Sequence, residues 1–157
     1  MTLGWLAHVT GVFAAIVAGL ATGAVATEGA ILVPFWRSMP PRDFLAWYRA
    51  HAALLFKFFG PLEIVAAASA TAATLLAWWS GAASASLWST SAFFSIAVLA
   101  MFPMYFQSVN ARFAAGAIDA DQVGPELARW AMWHWVRVGV AGCAFAAAVL
   151  AVGRPCA

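Results

Sequence analysis

Four stretches of this chain are each long and apolar enough to cross a lipid bilayer, and together they leave room for almost nothing else. A hydrocarbon core of about 30 Å takes about 20 apolar residues as a helix. In lipid such a segment must satisfy its own backbone hydrogen bonds, which a helix does. The spans read as residues 3–33, 61–80, 87–115 and 126–152. Of the 157 residues 65% are hydrophobic and 9% charged, where a soluble domain has about a quarter of its residues charged. Mean hydropathy is +0.88. The expected fold class is therefore all-α, an integral membrane four-transmembrane-helix bundle forming one domain over residues 1–157. No length remains for a soluble catalytic module. The formal charge of +2 comes with no basic patch for nucleic acid and no phosphate-cradling glycine loop, so nucleic acid is excluded as a partner and the lipid bilayer is expected as one.

Punctuation along the chain fixes the spans. In the first, Gly11, Ala15, Gly19 and Gly23 recur every fourth residue, a small-residue stripe that lets another helix approach closely. The stripe serves either packing within the chain or a homo-oligomer or larger membrane complex. Ala24, Val25 and Ala26 imitate a signal-cleavage site, but no Lys or Arg precedes the run, and it is longer than a signal core. It reads as a retained span. Pro34 disfavours helix at Val33 and is expected to end it. Residues 42–59 interleave Trp47, Leu54, Leu55, Phe58 and Phe59 with Arg49, His51 and Lys57. That pattern is an amphipathic helix at the headgroups, leading into the second span through a bend at Gly60 and Pro61. Pro103 kinks the third span, Gly116 caps it, and residues 119–124 form a polar connection before Pro125 and Glu126 restart a helix. Cys143 and Cys156 lie about 20 Å apart along a helix, too far for a disulfide.

Arg37, Arg42, Arg49, Lys57, Arg112 and Arg129 border the two longer connections, whereas the other side has Arg154 alone. The positive-inside rule makes those connections cytoplasmic and puts both termini on the non-cytoplasmic side, in a cell inner membrane. Tryptophans 5, 78, 79 and 88 mark the outer boundary, and 36, 47, 130 and 133 the inner one.

Polar residues within the spans carry the functional signal. Counted from the outer boundary at about 1.5 Å per residue, Glu28 lies about 35 Å deep, Glu63 about 24 Å, Asn110 about 33 Å and His134 about 27 Å. One polar residue per span thus reaches a similar level. An ionisable group there costs on the order of 2.5–3.5 kcal/mol and usually faces a bundle interior. Three readings of Glu28, Glu63 and His134 stay open. The carboxylates pair with Arg49, Lys57, Arg129 or Arg137 and do nothing else; or they line a pocket for a hydrophobic small molecule and transfer protons; or Glu28, Glu63 and His134, with His51, hold a metal ion or haem.

Several motifs carry a resemblance. The first span ends in Glu-Gly-Ala-Ile-Leu-Val-Pro-Phe-Trp (28–36), followed by Pro-Pro-x-x-Phe (40–44). The third ends in Val-Asn-Ala-Arg-Phe (109–113), and the fourth opens with Trp-x-x-x-His-x-x-Arg (130–137). The chain resembles the small four-helix membrane proteins typified by anthrone oxygenases of aromatic polyketide pathways. The resemblance implies oxidation of an activated aromatic carbon by dioxygen without an organic cofactor. The expectation is a membrane oxygenase or oxidoreductase acting on an aromatic or quinonoid substrate at the cytoplasmic end of the bundle. Glu28, His134, Asn110 and Arg137 are its catalytic candidates, and Glu63, Tyr105, Gln107 and Trp133 its substrate-binding candidates. A non-catalytic accessory or assembly subunit of a larger complex is the alternative.

Overall fold

A computed structural model describes residues 3–154. Among them every regular element is helical: α1 (Leu3–Ser38), α2 (Pro41–Trp79), α3 (Ala85–Ala115) and α4 (Ala120–Val152), each long and apolar enough to cross a membrane. The connections at residues 39–40, 80–84 and 116–119 are short, so consecutive helices run antiparallel. Each helix packs on its neighbours in the chain, and α1 closes the bundle against α4. Cys143 is exposed and free, and Cys156 lies outside the described residues.

The bundle has two differently built halves. Where residues 80–84 turn, the core is Ala14, Ala73, Ala77, Ala148 and Ala151 around Trp88. Small side chains let the backbones come close, which is the main source of cohesion where lipid offers no hydrophobic drive. At the other end, here the basic end, the core is aromatic: Trp36, Phe44, Tyr48, Phe106, Phe113 and Trp130. Bulky rings hold the helices apart. The small-residue stripe of α1 serves the tight half from within the chain. A methyl group on Gly11 would lie 2.8 Å from the Trp88 ring, and one on Gly19 would lie 2.9 Å from Phe145, whereas Gly23 faces open space.

Prolines end fewer helices than the sequence suggests. α1 continues through Pro34 to Ser38, and Val33 keeps helical angles of −63° and −48°. The ladder widens just before the proline into a π-turn, Glu28–Leu32, in which the Val33 N–H reaches the Glu28 carbonyl. A second π-turn, Phe102–Phe106, surrounds Pro103 and closes from the Gln107 N–H to the Phe102 carbonyl. Such local widening lets membrane helices absorb a missing N–H donor. Residues 42–59 are not a separate element, because α2 passes through Gly60 and Pro61 as one helix. Their amphipathic sidedness holds: Phe44 and Tyr48 are buried in the bundle, and Arg42, Arg49 and Lys57 are exposed. α4 starts at Ala120, with Asp119 extended before it and Pro125 inside, so residues 120–124 are helix rather than connection.

The tryptophans also divide differently. Trp5, Trp78 and Trp79 are exposed as boundary residues should be, but Trp36, Trp88 and Trp130 are core.

At the end of α3, Gly116 takes a left-handed φ of 66° while Arg49 from α2 donates to the Ala114 carbonyl (3.0 Å) and the Ala115 carbonyl (2.9 Å). A methyl group at position 116 would lie 2.5 Å from the Arg49 guanidinium. Gly116→Ala is expected to cost about 1–2 kcal/mol from backbone handedness alone, plus the displaced Arg49 contact. Thermal unfolding in detergent should show it as a lower Tm, with Arg49→Ala showing a smaller drop.

Candidate functional site

The site begins with the stripe Trp130, His134 and Arg137 of α4, all of it buried. Arg137 enters the bundle and its Nη2 donates to Glu28 Oε2 of α1 at 2.8 Å and to His134 Nδ1 at 2.9 Å. Its Nη1 lies 3.5 Å from Glu63 Oε1 of α2. The guanidinium sits over the Phe106 ring of α3, 4.7 Å from its centre. One side chain thus touches all four helices.

His134 is fully enclosed, and its partners define its tautomer. Nε2 lies 2.8 Å from the Val25 carbonyl, which can only accept, so Nε2 carries the proton. Nδ1 then accepts from Arg137, which can only donate. The ring stacks on Trp130, with centres 4.9 Å apart and planes 9° from parallel. Gly29 permits this approach: a methyl group there would lie 3.0 Å from His134 Cδ2 and 3.2 Å from Trp135. His134 is therefore committed at both nitrogens to holding Arg137 and α1.

Beside this cluster is a cavity of about 510 Å³ with mostly apolar and aromatic walls, among them Tyr48, Phe56, Phe59, Phe102 and Trp130. Its polar groups are Glu28, Glu63, Gln107, Asn110 and Arg137 together with the Tyr48 hydroxyl. Asn110 Oδ1 accepts the Trp130 indole N–H at 2.9 Å, which fixes the amide and leaves its NH2 as the donor it can offer. Two buried atoms of the cluster have no hydrogen-bond partner, Glu63 Oε1 and Arg137 Nε. A second cavity of about 320 Å³ at the opposite end includes His8 and Arg154, both exposed, and contains no buried ionisable group.

Of the residues singled out in the sequence, Glu28, Glu63, Asn110, Gln107 and Arg137 share the cavity. His134 stands behind its wall. Tyr105 and Trp133 lie elsewhere, with ring centres 5.6 Å apart. The Tyr105 hydroxyl donates to Glu126 at 3.3 Å, and Arg112 lies 3.6 Å from the same carboxylate. His51 stacks on Trp47 and contacts that residue's carbonyl. The proposed metal set does not fit: both His134 nitrogens are taken, His51 is not in the cavity wall, and Arg137 lies against both carboxylates. No group of three His, Cys, Asp or Glu side chains among the described residues could hold a metal ion. Tyr48 and Phe106 gain weight only from the fold. Tyr48 lies on the buried side of an amphipathic stretch, a readable signal, whereas nothing in the sequence marks Phe106.

Comparison of the chain with protein-family profiles, with characterised proteins and with solved structures returns no match.

Removing Arg137 would leave two buried carboxylates facing each other. Breaking a buried ion pair on one side costs about 3–5 kcal/mol. Arg137→Met is therefore expected to unfold or to elute as aggregate on size exclusion in mild detergent. The triple variant Glu28→Gln, Glu63→Gln, Arg137→Met should recover most of the lost thermal stability, because no unpaired charge remains.

Proposed function

We propose that this protein is a membrane-embedded oxidoreductase acting on a hydrophobic aromatic or quinonoid molecule bound in the 510 Å³ cavity. The observation that carries the reading is Glu63. Its carboxylate has a buried oxygen without a hydrogen-bond partner in the wall of an otherwise largely aromatic chamber. Glu28 is hydrogen-bonded to Arg137 at 2.8 Å and acts as the counter-ion. Glu63, whose Oε1 lies 3.5 Å from Arg137 Nη1 without a hydrogen bond, takes the proton from the substrate. The oxyanion formed on deprotonation is held by Arg137 and the Asn110 amide, donors already in place before charge develops. The electron-rich carbon then bonds to dioxygen, the oxidant implied by the resemblance to anthrone oxygenases. The O–O bond breaks, one oxygen stays on that carbon as a carbonyl, and the other leaves as water with the proton taken by Glu63 and the second hydrogen of the carbon. His134 acts through Arg137 as a positioning residue. The excess of arginine and lysine at the basic end supports a cytoplasmic location for this chamber, with both termini on the far side.

Oxygen uptake by purified protein in lipid vesicles, supplied with an anthrone, tests the assignment. General-base catalysis is worth about 10²–10⁴-fold. Glu63→Gln should lower kcat by at least the smaller of these factors while the protein still binds the anthrone. A Glu63→Gln enzyme with unchanged kcat overturns the role of Glu63, and wild-type protein that consumes no oxygen overturns the reaction.

A further inference from the structure

The cavity has a floor and two side walls, and these come from different helices. α1 contributes Glu28 and α4 contributes Trp130 and Arg137, all three buried. Every exposed lining residue belongs to α2 or α3: Ala53, Phe56 and Ile64 on one wall, Gln107 and Ala111 on the other. The chamber is thus closed toward α1 and α4 and opens sideways between α2 and α3. By position along the helices, this opening lies between about 20 and 40 Å from the opposite boundary, across the hydrocarbon edge and the headgroups of one leaflet. Across it the Phe56 and Phe102 rings touch, one from each wall, with centres 5.7 Å apart. Phe56 is 59% exposed, so little but its partner ring holds it, and Phe102 opens the π-turn around Pro103.

We infer that this gap is a lateral portal, and that the ligand is a tailed membrane amphiphile. Its planar polar head lies against Arg137 and Asn110, and its alkyl or isoprenoid tail passes between Phe56 and Phe102 into the lipid. This rests on the proposal that the cavity is a ligand site. The division of the lining supports it: the ionisable groups Glu28, Glu63 and Arg137 are all buried, and the exposed lining is apolar except for Gln107 and therefore suited to a hydrocarbon chain. A water-soluble aromatic would instead need a polar entrance from the basic end. That end is filled by the ring cluster of Trp36, Phe44, Tyr48 and Phe113.

Two naphthoquinone probes separate the possibilities, one bearing a methyl group and one a dodecyl tail ending in a diazirine. Binding is measured to the full chain in lipid nanodiscs, with affinities expressed as mole fraction in lipid so that partitioning is not counted. Wild-type protein should bind both probes within about threefold of each other, and light should crosslink the tail to the exposed faces of α2 and α3 beside the portal. Ala53→Trp and Ala111→Trp place an indole at exposed positions in the mouth, where folding does not depend on them. Each should weaken the dodecyl probe by about tenfold or more and leave the methyl probe within about threefold. A dodecyl probe bound tenfold more weakly than the methyl probe by wild type overturns the portal, as does a tail crosslinked only to α1 or α4. If Glu63→Gln changes affinity for the methyl probe in those cases, the cavity reading survives alone. Binding of neither probe overturns both.

Discussion

A guanidinium buried inside an apolar helical bundle has to be neutralised from within the protein, and the arrangement of the four helices follows from how Arg137 achieves this. Its Nη2 alone makes two short contacts, to α1 through Glu28 and to its own helix through His134. Its Nη1 faces Glu63 on α2, and its flat face lies on Phe106 of α3. Lysine, with a single compact charge, has neither the fork nor the face needed for all of these at once. His134 has no charge to contribute in this tautomer; it supplies an acceptor on one side and ties α1 on the other. The buried cluster is therefore a fastener as well as a reactive group, and loss of the fastener would disturb every helix it joins.

The two halves of the bundle have complementary jobs. Alanines and glycines around Trp88 bring the helices together where residues 80–84 turn, and the aromatic core at the basic end spreads them. The cavity sits where one kind of packing gives way to the other. Both π-turns border that level, Glu28–Leu32 on the floor and Phe102–Phe106 beside the opening. Widened turns are frequent at functional sites, and here each adjoins a proline whose missing donor the wider turn accommodates.

Much of this was legible in the sequence because lipid restricts what a chain can do. Four apolar runs dictate four helices, and a polar residue at similar depth in each points to convergence; Glu28, Glu63 and Asn110 do line one cavity, with His134 behind it. The boundaries were harder, since Pro34, Pro61 and Pro125 read as breaks and all lie inside helices. Proline in a membrane helix is tolerated through tertiary support and local widening, which no nearest-neighbour rule registers. Trp36 and Trp130 were misleading for a related reason. Tryptophan near a span end suits an interface and an aromatic core equally, and only the packing of α1 on α4 decides between them. Phe106 under the guanidinium and the closeness of Gly29 to His134 depend on inter-helix distance, which composition does not encode.

The π-turn at Glu28–Leu32 has a further consequence for how this chain tolerates change. A helix advances about 100° per residue, so a turn that holds one residue more than an α-turn resets the facing of everything after it. On one side of that turn α1 presents Val25 to His134, and within it Glu28 reaches Arg137; on the other side it sends Trp36 into the ring cluster. Conversion of this turn to regular α geometry with no change of length would swing Trp36 by about 100°, out of the aromatic core, whereas loss of one residue from the turn would restore α geometry and leave Trp36 facing the core. α1 therefore behaves as two rulers joined at a fixed offset, and the widened turn takes up the one residue by which the contacts of Val25 and of Trp36 would otherwise be out of step.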